Sequence, residues 1–200
     1  GDKAACVLDL YEGMWEGEPL GPDDYVLSAD EKTSIQARGR KHVTLPPALE
    51  NPMRVEHEYD RNGALAYLAA WDVRRAKLFG RCEAATGIKA LFWILDNGSS
   101  HRGIRCVERL QRAWPTIIPV HLPVHASWLN QVEIYFSILQ RKALTPNDFA
   151  SLNALSTRIL QFQEHYQHVA EPFQWKFTRD DLARVMARLS AILPPLAQAA

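Results

Sequence analysis

The spacing of apolar positions predicts two strands early in the chain. The run Tyr25 to Ala29 meets Asp30, and Lys32 to Ala37 can continue it as strand. Apolar and polar side chains then alternate through residues 54–59, which is the pattern of a strand that is half buried.

A hairpin is predicted to follow. Asn62-Gly63 is a strong hairpin signal, because both residues tolerate the backbone conformation of a tight turn. The apolar run Ala64 to Val73 is then the returning strand, with residues 76–82 as its extension or its partner. Together these segments predict three antiparallel strands.

Two further strands are predicted after the hairpin. Leu91 to Leu95 is a compact apolar run that ends at Asp96, and its lack of alternation is typical of a central strand buried on both faces. Thr116 to Leu122 is the second, where Pro119 indicates an edge or a bulge.

The last third of the chain has the apolar spacing of helices. Thr178 and Asp181 resemble a capping box at the start of the last of them. The order of strands and then helices predicts an α/β fold, in which helices pack on a mixed five-stranded sheet with the last two strands parallel to the first.

Composition narrows the class of protein. The chain is 47% hydrophobic with a formal net charge of zero, and no apolar run is long enough for a membrane span. The three cysteines lie far apart, so neither a zinc site nor a disulfide framework is indicated. We expect a cytoplasmic protein without a membrane partner.

Three acidic residues are candidates for a metal site. Asp30 and Asp96 each follow an apolar strand, and Glu133 opens a predicted helix. Carboxylates that converge from rigid elements can hold Mg²⁺, which prefers oxygen ligands. Each residue also has a structural interpretation: the aspartates as turn-formers, and Glu133 as the reciprocal partner of an Asn130 N-cap.

The residues around these acids form three blocks that resemble a known family. The blocks are Ser28–Thr33, Leu95–His101 and Ser127–Glu133, and 36 residues separate Asp96 from Glu133. In this order and spacing they resemble the signature blocks of bacterial insertion-sequence transposases of the mariner-like superfamily, which have a DDE catalytic core.

The resemblance implies an RNase H-like fold and an active site made of Asp30, Asp96 and Glu133. These residues would hold two Mg²⁺ or Mn²⁺ ions that support DNA strand cleavage and strand transfer. It also implies double-stranded DNA as partner, both element ends and target, a location in the bacterial cytoplasm or nucleoid, and a possible homodimer.

The same blocks contain four candidate supporting residues, and a fifth, Arg102, directly follows the second block. Asn97 and His101 match the second block, and His101 is either a phosphate neighbour or a histidine bonded to backbone at a helix entry. Arg102 could hold a phosphate, Asn130 would shape the helix start that aims Glu133, and Trp128 would contact DNA or serve as a core or lid aromatic.

The resemblance also predicts a division of the chain. Residues 1–22 would be an N-terminal arm or the remnant of a linker to a DNA-binding region, residues 23–193 the catalytic domain and residues 194–200 a tail. The family's helix-turn-helix region has no counterpart before Asp23, and the Glu83–Ala90 connection is short for a crossover.

Two other functions remain open at this point. Another RNase H-like nuclease, such as a resolvase or an RNA–DNA hybrid hydrolase, would use a similar carboxylate set. A catalytically impaired remnant that acts as a DNA-binding or interaction module would explain the short connection and the missing N-terminal region.

Overall fold

The computed structural model describes residues 2–42, 58–83, 94–95, 108, 111–112, 118–123 and 126–192. Four helices and seven strands lie in these ranges, together with a single turn of 3₁₀ helix at Ser127–Leu129. The helices are α1 (Asp2–Tyr11), α2 (Val132–Lys142), α3 (Leu152–Val169) and α4 (Arg179–Ile192). The strands are β1 (Met14–Trp15), β2 (Glu18–Pro19), β3 (Leu27–Arg40), β4 (Tyr59–Asp72), β5 (Lys77–Glu83), β6 (Ile94–Leu95) and β7 (Val120–His121).

The main sheet is mixed, with strand order β5-β4-β3-β6-β7. Strands β3, β4 and β5 are antiparallel neighbours, whereas the short β6 and β7 run parallel to β3. The predicted α/β class with a mixed sheet is therefore confirmed. Strand β7 lies at the end of this order, where the missing N–H of Pro119 is tolerated.

The core fills the space between one face of the sheet and the helices. Alternate residues of β4 point into it, and Tyr67 and Trp71 are fully buried there. Leu68 and Ala70, which lie between Tyr67 and Trp71 on the same strand, form a separate small cluster with Ala29 on the opposite face. This period of two is the physical signature of a strand between two packed layers.

Helix α1 belongs to the same core. Its Val7 and Leu8 are almost completely buried in the cluster that also contains Tyr67 and Leu129. Residues 2–11 therefore pack against the unit that carries the sheet.

The predicted Asn62-Gly63 hairpin is wrong. Strand β4 runs without a turn from Tyr59 to Asp72, and its register against β3 shifts between the Gln36–Ala64 and Arg38–Arg61 pairs. Two residues of β4, Asn62 and Gly63, lie opposite the single Ala37 of β3 and form a bulge, with Gly63 at φ +100°. The left-handed conformation that suits a hairpin turn also suits a bulge.

Other local predictions hold. Residues 77–83 form β5, the antiparallel partner of β4. The capping box of α4 is present, because Thr178 N–H donates to Asp181 Oδ2 at 2.9 Å and Asp181 N–H donates to Thr178 Oγ1 at 3.2 Å. Helix α3 begins after Ser151, whose hydroxyl accepts from the Ala154 N–H.

The register sets the straight-line distance between the described ends of β5 and β6. The register places Glu83 about five residues further along the sheet than Ile94, and two strands lie between β5 and β6. Strand spacings of about 4.8 Å and rises of about 3.3 Å put the ends roughly 22 Å apart. The intervening residues 84–93 lie outside the described ranges, and ten residues can span at most about 33–36 Å.

Within the described residues, no helix has both the length and the apolar character to cross a membrane.

We expect Gly63→Ala to destabilise the protein more than Gly13→Ala. Both glycines have positive φ, which costs an alanine about 1–2 kcal/mol. A Cβ at Gly63 would also approach Leu152 Cδ1 to 2.9 Å, whereas one at Gly13 would meet nothing within 4 Å. Urea unfolding of both variants measures the difference, and equal losses would contradict the close contact between the bulge and α3.

Stability should fall as the pH rises above about 10. Burial raises the pKa of Tyr67, whose hydroxyl donates to Gln163 Oε1 at 2.6 Å, and burial also raises the pKa of Tyr135 beside it. Because the folded protein holds these protons more tightly than the unfolded chain, their contribution is complete below the unfolded pKa and is lost above it. Unfolding free energies measured from about pH 8 to about pH 11 should decline, and Tyr67→Phe should flatten the decline; an unchanged slope would contradict this assignment.

Candidate functional site

Asp30 lies inside a long strand rather than at its end. The sequence predicted a strand that meets Asp30 and can continue through Lys32 to Ala37, and β3 does continue, with Asp30 paired to Ala69. On its other edge β3 pairs with β6 through Ser28 and Ile94. Asp30 therefore stands two residues beyond the parallel pairing, at the level where β6 has ended.

A buried asparagine joins this strand to helix α2. Asn130 is only 1% exposed, and its Nδ2 donates to Asp30 Oδ2 at 2.9 Å and to the Ala29 carbonyl at 3.2 Å. Its Oδ1 accepts a short hydrogen bond from the Ser28 hydroxyl. The two donors and the acceptor of the side-chain amide are all used, as burial of a polar group requires.

Ser28 completes the junction by capping α2 from the strand. Its Oγ accepts from the Val132 N–H at 2.9 Å, while its proton goes to Asn130. The first turn of a helix has backbone N–H groups without helical partners, and one of them is satisfied here by a residue 104 positions earlier in the chain.

The interpretation of Asn130 and Glu133 as a capping pair is wrong. Gln131 occupies the N-cap position with no side-chain capping bond, and the Asn130 side chain is directed to β3. The Glu133 N–H donates to the backbone carbonyl of Asn130 at 3.1 Å. The Glu133 side chain lies in the first turn of α2 and is exposed, and it forms no hydrogen bond within the described part of the chain.

Tyr11 connects α1 to the residue before Asn130, and the sequence analysis did not identify this role. Its hydroxyl donates to the Leu129 carbonyl at 2.5 Å, which ties α1 to the 3₁₀ turn before Asn130. Burial raises the pKa of Tyr11. Ser28 was missed in the same way, and its one sequence signal is a position two residues before Asp30, on the same face of the strand.

The remaining candidate residues fall into two groups. Trp128 is 52% exposed and packs edge-to-face against Phe177, with ring centroids 5.4 Å apart. It is thus a surface aromatic that packs on Phe177 rather than a core residue. The others lie outside the described residues: Asp96, Asn97, His101 and Arg102.

The Asp30 carboxylate is held in a fixed orientation. Oδ1 accepts from the Glu31 N–H at 2.7 Å, and Oδ2 accepts from Asn130. Within the described residues, which do not include Asp96, no group of three histidine, cysteine or acidic side chains is close enough to hold a metal ion. Hard oxygen donors on a rigid strand are the ligand type that Mg²⁺ or Mn²⁺ requires.

Comparison with protein families gives one match. The model described as DDE superfamily endonuclease matches residues 50–156, which is more than half of the chain. The matched range includes Asp96 and Glu133 and begins after Asp30. No curated protein and no solved structure matches the chain.

Ser28→Ala and Asn130→Ala should each destabilise the protein by about 1–3 kcal/mol, because each leaves buried polar groups without a partner. The double variant should lose less than the sum, with a coupling of about 0.5–3 kcal/mol, since both side chains serve one network. Urea unfolding of the four proteins measures this cycle.

Ser151→Ala is the matched control. It removes the hydroxyl that caps α3 and should cost about 1 kcal/mol, and its effect should add to that of Asn130→Ala within about 0.5 kcal/mol. Additivity of Ser28→Ala with Asn130→Ala would show that the two side chains act independently.

Proposed function

The chain belongs to the DDE superfamily of endonucleases, and we propose that within it the chain is the catalytic domain of a bacterial insertion-sequence transposase of the mariner-like group. The observation that carries the proposal is the Asn130 bridge, which joins the Asp30 carboxylate to the start of the helix that bears Glu133. The mixed sheet, with three antiparallel strands followed by two parallel ones, supports an RNase H-like fold.

The strand register supports Asp96 as the partner of Asp30. Ser28 pairs with Ile94, and both aspartates stand two residues beyond these paired positions. In a parallel pair, residues at matching positions lie side by side and point to the same face. Continuation of the β6 register by two residues would therefore bring the Asp96 carboxylate beside that of Asp30.

The start of α2 supports Glu133 as the third acid. Asn130 contacts Asp30 directly, and Glu133 follows within one helical turn. Its carboxylate is exposed and not engaged in capping, so it is available to lean over the sheet edge. The N-terminal end of a helix also stabilises negative charge in its first turn.

These residues fit a pair of divalent cations by the chemistry of their donors. Asp30, Asp96 and Glu133 would supply the carboxylate oxygens, and Mg²⁺ or Mn²⁺ is the ion that such a set binds. Bound metal in such sites activates the attacking oxygen and stabilises the departing one at a phosphodiester.

The protein's own contribution is orientation. Asn130 and the Glu31 N–H hold the Asp30 carboxylate in one rotamer, and Ser28 holds the helix that carries Glu133. His101 and Arg102 would contact phosphates of double-stranded DNA, at element ends and at the target, and Asn97 and Trp128 would help to position it. We place the catalytic residues in a unit at 23–193, with α1 of residues 1–22 packed into its core and residues 194–200 as a tail, and a homodimer is one arrangement in which it would act.

The arrangement at Asp30 argues against the alternative of an inactive remnant. The hydrogen bonds that orient the Asp30 carboxylate favour a working metal site, because an inactive remnant would gain nothing from holding that carboxylate in one orientation.

Replacement of any of the three acids should abolish metal-dependent DNA cleavage. We expect Asp30→Asn, Asp96→Asn and Glu133→Gln each to lose at least about 100-fold in the cleavage rate, since each removes charge at the point where phosphoryl transfer is stabilised. Cleavage of a labelled DNA duplex with Mg²⁺ or Mn²⁺ measures the rate.

Asp60→Asn and Glu164→Gln are matched controls, because both side chains are exposed and lie on β4 and α3 away from the junction. They should cleave like the unmodified protein. Full activity in any of the three acid variants, or an equal loss in the controls, would refute the site. Strand transfer of cleaved ends into target DNA separates a transposase from another RNase H-like nuclease.

A further inference from the structure

We propose that a polar cavity beside β3 binds a backbone phosphate of the DNA substrate, next to the phosphate that Asp30 would address. The cavity has a volume of about 220 Å³ and is lined by β3 beyond Asp30 and by the end of α2 with the loop after it. This inference rests on the proposed function for its substrate, and it concerns residues to which that function assigns no role.

Within the described residues, the cavity lies along a stretch of the β3 edge that pairs with no strand. Upstream of it, β3 pairs with β6 at Ser28. Downstream, Asn147 bridges the same strand, because its Nδ2 donates to the Gln36 carbonyl at 2.9 Å and its Oδ1 accepts from the Arg38 N–H at 3.2 Å. The edge between these two attachments is where the cavity opens, and Ser34 forms a bulge in it with φ +55°.

The charges around the cavity are positive. Lys32 and Arg38 line it, and none of its lining residues is acidic. Neither cation forms an ion pair within the described ranges, although other surface cations such as Lys41 do. A partly buried ammonium without a carboxylate partner is stabilised by an anion that enters from solvent.

Arg38 is already oriented for an anion. Its Nε donates to Gln36 Oε1 at 3.0 Å, and its guanidinium carbon lies 4.4 Å from the centre of the Tyr59 ring. These contacts fix the plane of the guanidinium, while its terminal nitrogens donate to no acceptor in the described part of the chain. A planar fork with free N–H groups is the preferred partner of phosphate oxygens.

The distance of the cavity from Asp30 matches the spacing of nucleotides along a DNA strand. Lys32 is two residues beyond Asp30 on the same face of β3, which is about 7 Å away. One strand of duplex DNA advances about 3.4 Å per nucleotide along its axis, so the cavity lies one to two nucleotides from Asp30. The volume is that of roughly seven waters, which is room for a phosphate with part of its hydration.

Binding of a DNA duplex in EDTA tests this site without any dependence on metal or cleavage. Lys32→Gln and Arg38→Gln should each weaken the affinity about tenfold at low salt, as expected for the loss of a charged hydrogen bond. The double variant should lower the slope of log affinity against log salt by about one, because one phosphate contact is lost. Lys32→Arg should retain the affinity.

Lys77→Gln and Arg158→Gln are the matched controls. They remove the same charges from exposed positions outside the cavity and should change affinity less than about twofold. As a second readout, titration with inorganic phosphate should shift the amide signals of residues 32–38 in the unmodified protein and not in the double variant.

The outcomes separate this inference from the proposed function. If the acid variants lose cleavage while the Lys32 and Arg38 variants bind DNA like the controls, the phosphate site is wrong and the catalytic assignment stands. If the cavity variants lose DNA affinity but the unmodified protein cleaves no DNA with Mg²⁺ or Mn²⁺, the phosphate site stands and the catalytic assignment is wrong.

Discussion

The side-chain amide of Asn130 is the constraint on which the rest of this structure depends. It is buried, and it uses both donors and its acceptor on three neighbouring residues of β3, namely Ser28, Ala29 and Asp30. An amide in this position is costly unless every bond is made, so it permits only one placement of α2 against the sheet. The carboxylate of Asp30 and the first turn of α2 are thereby fixed relative to each other, although Asp30 and Asn130 lie 100 positions apart in the chain.

The surrounding packing keeps this junction in place. Tyr11 binds the carbonyl of Leu129 immediately before it, and the buried face of α2 lies against Tyr67 through Tyr135 and Phe136. Beyond Asp30 the same strand continues past the cavity of Lys32 and Arg38 to the Asn147 bridge. One strand thus carries both the carboxylate that would bind metal and the cations that would bind the flanking phosphate.

Local signals in the sequence predicted much of the fold. The capping box of α4, the apolar run that forms most of β4 and the apolar run that contains β6 depend on neighbours in the chain, and such patterns can be recognised in one segment. Asn62-Gly63 shows the limit of this reasoning, since a left-handed glycine serves a bulge as well as a turn. Whether the strand reverses is decided by its pairing with β3, which the segment itself does not contain.

The candidate site was predictable as a set of residue types but not as a network. Asparagine is a common N-cap residue, which is why the sequence predicted a cap at Asn130. Its actual hydrogen-bond partners lie on β3 and are brought to it only when β3 packs against α2. Ser28 and Tyr11 carry no distinctive local pattern, because a serine in a strand and a tyrosine on an apolar helix face are ordinary. Their roles follow from hydrogen bonds between residues more than 100 positions apart.

Paramagnetic broadening by Mn²⁺ tests the central claim that Asp30, Asp96 and Glu133 hold divalent metal at this junction. The account predicts that Mn²⁺ selectively broadens the NMR signals of the Asn130 side-chain amide and the Glu133 backbone amide, and that Asp96→Asn removes this effect. Broadening centred elsewhere on the protein, or broadening that persists unchanged in Asp96→Asn, would contradict it.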